Sequence, residues 1–153
     1  MEQSGFSAEA GRDAFFLFNL SAIIGVFSLG FLATRWKLSK LVSSFLLLSA
    51  VSMVVFASAP PNLPLLLAIT FVIGFLQQGG FMGLYAVAAK LYPTRIRSTG
   101  IGWAIGLGRF GAVVGPAAAG YLIAAGLDMS MNYYVFAVPM AIGGILAWRT
   151  HVR

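Results

Sequence analysis

Five apolar runs, each long enough to cross a lipid bilayer and parted only by short charged clusters, leave this 153-residue chain few possible folds. A hydrocarbon core of ~30 Å takes about 20 predominantly apolar residues as a helix. The runs cover about 14–33, 41–59, 65–89, 100–124 and 133–148, the last being the shortest and holding Pro139 and Gly143-Gly144. Hydrophobic residues make up 59% of the chain and charged residues 9%, against about 45–50% and about 25% in ordinary soluble domains. Strands with open edges would leave backbone groups unsatisfied in lipid, so every run is expected to be a helix. The expected fold is all-α: a polytopic membrane helical bundle of five transmembrane helices, with residues 1–153 forming one membrane domain. Connections of roughly 5 to 10 residues are expected to make consecutive helices antiparallel neighbours. The first run starts after Asp13 and lacks a basic leader, so it does not read as a cleaved targeting peptide.

Charge alternates from one connection to the next. Arg35, Lys37 and Lys40 follow the first run, Lys90, Arg95 and Arg97 the third, and Arg149 and Arg153 the fifth, which puts eight of the ten basic residues on one side. That side is expected to be cytoplasmic, because Lys and Arg near span ends are retained there. Glu2, Glu9, Asp13 and Asp128 all fall on the other side, so the N-terminus is expected outside and the C-terminus inside. The net charge of +6 is therefore a topology signal. Nucleic acid is not an expected partner, since its binding needs basic residues gathered on a solvated face; the bilayer is.

The fourth run carries a cation deep inside it. Arg109 lies about ten residues past the basic turn, or ~15 Å at 1.5 Å per residue, near the middle of the hydrocarbon. A charge at that depth costs at least ~2.5 kcal/mol and is normally paired or functional. At 100° per residue, Gly102, Gly106, Ala112, Val113, Pro116 and Gly120 fall within about 60° of Arg109, making one face of mostly small residues with a cation in it. The four-residue spacings Gly102/Gly106 and Gly111/Gly115 are those that let membrane helices approach closely. No acid lies in any of the five runs. Arg109 must pair with carbonyls, with a carboxylate from elsewhere, or with an anionic ligand, for which a planar guanidinium offers a two-pronged grip.

Other polar residues point the same way with less force. Gln78, Met82 and Tyr85 fall at i, i+4, i+7 on one face of the third run, a spacing that presents an amide, a thioether and a phenol to a cavity or to a neighbouring helix. Asn19 reads as a helix-to-helix hydrogen bond. Trp36, Tyr92, Tyr133, Tyr134 and Trp148 sit near run ends, as interfacial anchors do. Gly106-Leu107-Gly108-Arg109-Phe110-Gly111 matches a dinucleotide fingerprint, but that motif needs a preceding strand and a βαβ unit, so nucleotide binding is not expected. The chain has no cysteine, its one histidine is His151, and no acid pair shares a helix face; neither an enzyme, a metal site nor a cofactor is expected.

The segment GGFMGLYAVAAKLYPTRIRSTGIGWAIGLGRFGAVVGP, residues 79–116, resembles the tenth helix, cytoplasmic turn and eleventh helix of major facilitator superfamily transporters, most closely the aromatic-acid/proton symporter group. The resemblance implies a partial major-facilitator fold in which the five runs correspond to helices eight to twelve, and the missing N-terminal transporter helices are partners. It implies proton-coupled symport of small aromatic carboxylates of the benzoate type across the cytoplasmic membrane, with a small organic anion and protons as ligands. The alternatives are another small organic anion or metabolite, or a truncated membrane protein that does not transport. By the same resemblance Arg97 and Arg35 act in gating and Arg109 in transport; the depth of Arg109 makes it the candidate for substrate binding, the shared face of Gln78 and Tyr85 adds them as cavity residues, and small-residue spacing gives Gly102, Gly106, Gly111, Gly115 and Pro116 a helix-packing role. One position departs from the family pattern. Thr34 stands before Arg35 where an acid is expected, which puts that loop's salt bridge in doubt.

Overall fold

The computed structural model describes residues 8–126 and 129–150; Glu2, Asp128, His151 and Arg153 lie outside them. Five helices account for nearly all of the described chain: α1 (Ala8–Leu32), α2 (Leu38–Ser58), α3 (Leu63–Leu91), α4 (Arg97–Ala124) and α5 (Met129–Arg149). All five are long and apolar enough to cross a membrane. The helices run past the apolar stretches at several ends. α1, for example, begins six residues before Ala14, because backbone hydrogen bonding continues into the interfacial region once a helix is nucleated.

Local chemistry explains the boundaries. Asn62 precedes α3, and its side-chain oxygen accepts from the Leu65 amide at 3.4 Å, while Pro64 sits in the first turn, where a missing N–H does no harm. α3 stops at Leu91 because the residue before Pro93 is pushed out of the helical region, and Tyr92 is extended with φ −83° and ψ 131°. α4 ends on Gly126, whose φ of 81° is easily reached by glycine; its amide closes the last turn on the Ile123 carbonyl at 3.0 Å.

Packing follows a different order from the chain. α3 lies between α1 and α2, and α2 lies between α3 and α5, so the layer reads α1–α3–α2–α5. The expectation that consecutive helices are neighbours therefore fails for α1, which packs on α3 and barely touches α2. The reason is a seam of small residues. A Cβ on Gly25 of α1 would run into the backbone of Phe75, and one on Gly74 of α3 would meet the Phe18 carbonyl oxygen at 2.6 Å. The two backbones thus approach closely, and α1 and α3 run parallel. On its other side α3 offers Gly80 and Gly83 to Leu46 and Val42 of α2. One core cluster gathers Leu29, Val42, Phe45, Leu46, Val87 and Ala147 toward the basic side; a second joins Ala50, Met53, Ile73 and Ala137 toward the other. Ser43 donates across the α2–α5 contact to the Gly144 carbonyl at 2.6 Å.

α4 stands apart from this layer. It has no buried residue, and Trp103, Phe110, Val113 and Tyr121 expose 69%, 69%, 74% and 76% of their surface. It touches the layer at its foot, where the Tyr92 ring covers Gly100, and part-way along, where the Phe136 ring of α5 comes near Gly115.

Candidate functional site

Arg109 is exposed on α4. Twelve residues of helix separate it from Arg97 at the start of α4, which sets it ~18 Å from the basic turn at 1.5 Å per residue. Among the described residues no hydrogen bond or ion pair holds its guanidinium. Pro116 shares its face and has no N–H to offer the Ala112 carbonyl, so that face presents a cation together with a carbonyl deprived of its usual helical donor.

Beside Arg109 runs a shallow groove of about 400 Å³ lined by Thr99, Gly102, Trp103, Gly106, Leu107 and Phe110. It exists because Gly102 and Gly106 contribute no side chains between the bulky residues around them. Its volume is that of a small-molecule pocket, about 300–1,000 Å³, yet it is open on the side facing away from α4. Within the described residues nothing lies within 4 Å of where a Cβ would stand on Gly102, Gly106 or Gly111, and Gly115 meets only the Phe136 ring, at 3.7 Å. The described residues thus leave this stretch of α4 largely unpacked.

Gln78 is half-buried on α3, thirteen residues before Leu91, so it lies ~20 Å from the turn and at nearly the depth of Arg109. Tyr85 is half-buried a turn or two closer to the turn, with its ring edge-on to Phe81 at 5.3 Å. Both lie on the side of α3 turned away from Val87, Ile73 and Leu76, which face the core. Gln78 and Arg109 are level in the membrane, on helices that meet only sparsely.

The basic residues behave differently from one another. Arg97 folds back on its own turn, donating from Nε to the Tyr92 carbonyl at 3.3 Å and from a terminal nitrogen to Thr94 Oγ1 at 3.5 Å. Arg35 is exposed in the α1–α2 loop, and the neighbouring Thr34 hydroxyl donates to the Phe31 carbonyl at 2.7 Å. Asn19 bonds within its own helix, to the Phe15 carbonyl at 2.8 Å, rather than to a neighbour. Tyr134 reaches Ser58 at 2.7 Å and Tyr133 stacks on Phe56 at 4.5 Å, fastening α5 to α2.

Reading the sequence for glycines singled out α4 and passed over the seam on α3. Gly79 and Gly83 have the same four-residue spacing and are the ones in contact: a Cβ on Gly79 would lie 2.7 Å from the Phe45 ring. That spacing was the available signal.

The Major Facilitator Superfamily family model matches residues 1–153. The benzoate transport protein of Acinetobacter baylyi is 31% identical over 143 residues, covering 94% of this chain and 30% of the relative. The 4-hydroxybenzoate transporter PcaK of Pseudomonas putida is 27% identical over 145 residues, covering 95% and 32%. The 3-(3-hydroxy-phenyl)propionate transporter of Escherichia coli is 34% identical over 126 residues, covering 81% and 30%. The chain spans about a third of the length of the curated relatives it matches. Five membrane-length helices and a family match along the whole sequence lead to one conclusion: this chain belongs to the major facilitator superfamily.

Proposed function

We propose that these residues form part of a proton-coupled carrier of small aromatic carboxylates in the cytoplasmic membrane, with Arg109 gripping the carboxylate and Gln78 and Tyr85 lining the cavity. The observation that carries the reading is Arg109 itself, exposed at mid-depth, without a partner in the described chain, and next to a groove bounded by aromatic and small residues. A guanidinium matches a carboxylate bidentately, and Trp103 and Phe110 supply apolar ring faces for an aromatic body. That the relatives are named for benzoate, 4-hydroxybenzoate and a phenylpropionate agrees with this chemistry. Facilitator-type carriers place the substrate near the midplane between two halves, so the open side of the groove is where further helices supply the second wall. Between Asp13 and Asp128 the sequence has no acid, and the proton carrier belongs to that second wall too.

In this reading the basic loops face the cytoplasm and the N-terminal end lies outside. Gly102, Gly106, Gly111, Gly115 and Pro116 form the surface on which α4 receives the absent helices. Arg97 sets the shape of the α3–α4 turn, and Arg35 acts in gating without the acid that Thr34 replaces.

The test is uptake of radiolabelled benzoate by cells producing the protein at full length. Arg109→Ala abolishes uptake at unchanged membrane abundance, and Arg109→Lys keeps part of it. Benzoate uptake undiminished in Arg109→Ala overturns the assignment, and competition by other organic anions but not by aromatic acids redirects the substrate class.

A further inference from the structure

Asn19 is a polar side chain within the membrane-spanning part of α1 that neither the packing nor the transport reading uses. Its amide nitrogen donates to the Phe15 carbonyl of its own helix at 2.8 Å, which leaves the second N–H and Oδ1 exposed and without a partner among the described residues. Phe15, Phe16, Leu20 and Ile23 surround it with exposed hydrocarbon. An amide turned to lipid at this point would forgo the hydrogen bonds that water gives it, at a cost in free energy.

The side to which Asn19 opens follows from the parallel pairing of α1 and α3. Gly25 of α1 abuts Phe75 of α3. Counting about 100° per residue along the chain, the α2-facing residues of α3, Leu76, Gly83 and Val87, stand about 80–120° forward of Phe75. Gln78, Tyr85 and Tyr92 stand about 60–100° behind it. α4 stands on that second flank, since the Tyr92 ring covers Gly100. Two parallel helices turn in the same sense, so the flank that lies behind the contact on α3 lies ahead of it on α1. Asn19 is about 120° forward of Gly25, and it therefore opens on the flank of Gln78 and Tyr85.

Depth separates the two amides. Gly25 sits beside Gly79 and Leu29 beside Gly83, a register that sets Asn19 level with Ile73, five residues or ~8 Å nearer the outer surface than Gln78. An aromatic ring with a polar group at each end spans about that difference. We propose that Asn19 is a specificity-determining residue, its Oδ1 accepting a hydrogen bond from a ring hydroxyl para to a carboxylate held at the depth of Gln78. The inference rests on the aromatic-acid reading above and adds to it a preference among aromatic acids. A ring without the hydroxyl leaves Oδ1 unpaired and is disfavoured for that reason.

The test measures initial uptake of radiolabelled benzoate and 4-hydroxybenzoate by cells producing the protein at full length. Its readout is the ratio of the two kcat/KM values, in which folding and membrane abundance cancel. Asn19→Leu, similar in size but without the acceptor, lowers the ratio of 4-hydroxybenzoate to benzoate about fivefold, the worth of one neutral hydrogen bond. Phe31→Leu, about 120° from Gly25 on the opposite flank of α1, leaves the ratio unchanged. In the parent, unlabelled 4-hydroxybenzoate inhibits benzoate uptake at about fivefold lower concentration than 4-methylbenzoate, which fills the same space without a donor. Equal inhibition by these two acids overturns the proposal, as does an unchanged ratio in Asn19→Leu, an equal fall for both acids included. Those results leave the carrier reading standing, whereas a parent that takes up neither acid overturns both.

Discussion

Gly25→Ala tests the packing that orders this bundle. The added Cβ would fall on the Phe75 backbone, 2.8 Å from its carbonyl carbon and 2.9 Å from its Cα, where ordinary contacts begin at 3.4 Å. Backbone cannot rotate aside, so α1 must move off α3 by at least ~0.6 Å, a gap that forfeits about a quarter of the dispersion energy of each contact it opens. Leu29 is 5% exposed and belongs to this seam. A buried leucine makes about 50 contacts of ~0.15 kcal/mol each, so a quarter of its total is ~2 kcal/mol. That lies within the usual 1–3 kcal/mol for overpacking and corresponds to about a 30-fold shift toward detached α1. α1 stays helical after it detaches, so helix content is the wrong observable. The chain contains no cysteine, which allows a fluorophore pair at Arg12→Cys and Pro61→Cys to report α1–α3 separation during titration with a denaturing detergent. Gly25→Ala should separate at markedly lower detergent, while Gly102→Ala, with open space around it, should match the parent or gain slightly from helix propensity. Equal behaviour of Gly25→Ala and the parent, or an equal loss in Gly102→Ala, refutes the argument.

Three further outcomes follow from single contacts. Arg97→Ala removes both hydrogen bonds that close the α3–α4 turn, at a cost of about 1 kcal/mol, and amide exchange over residues 92–97 should accelerate while α2 and α5 are unaffected. Ser43→Ala deletes the buried bond to the Gly144 carbonyl and should weaken the α2–α5 contact by about 0.6 kcal/mol, the usual size for such bonds between membrane helices, measured with the same detergent titration on labels placed at the ends of α2 and α5. Tyr134→Phe loses only an exposed bond to Ser58, so its midpoint should shift by less than half that of Ser43→Ala.

Much of the architecture was readable from hydropathy, because a bilayer admits an apolar helix and rejects almost everything else. The depth of Arg109 was readable for the same reason: fixed rise per residue converts a distance in sequence into a distance across the membrane. Contact partners were not readable. A membrane helix is apolar toward both lipid and protein, so no polar face marks which side is buried. α4 therefore stood out in the sequence as the glycine-rich helix, although it is Gly79, Gly80 and Gly83 of α3 that meet Phe45, Leu46, Val42 and Leu29, while Gly102, Gly106 and Gly111 meet nothing in the described chain. Arg97 was readable as a basic residue of the α3–α4 turn, with a gating role by resemblance, but its bonds to the Tyr92 carbonyl and Thr94 were not.

The sequence by itself determined that this is a five-helix membrane chain with one cation at mid-depth and its other basic residues, Arg12 apart, in short clusters at the ends of its apolar runs, since partition between water and lipid depends on composition along a line. Only the tertiary structure decided that α1 seats on α3 rather than α2, that α4 stands apart with Arg109 unpartnered among the described residues, and that Lys40 meets Trp148 from the far end of the chain. Those outcomes depend on which backbones can approach one another, a property of shape that hydropathy does not carry.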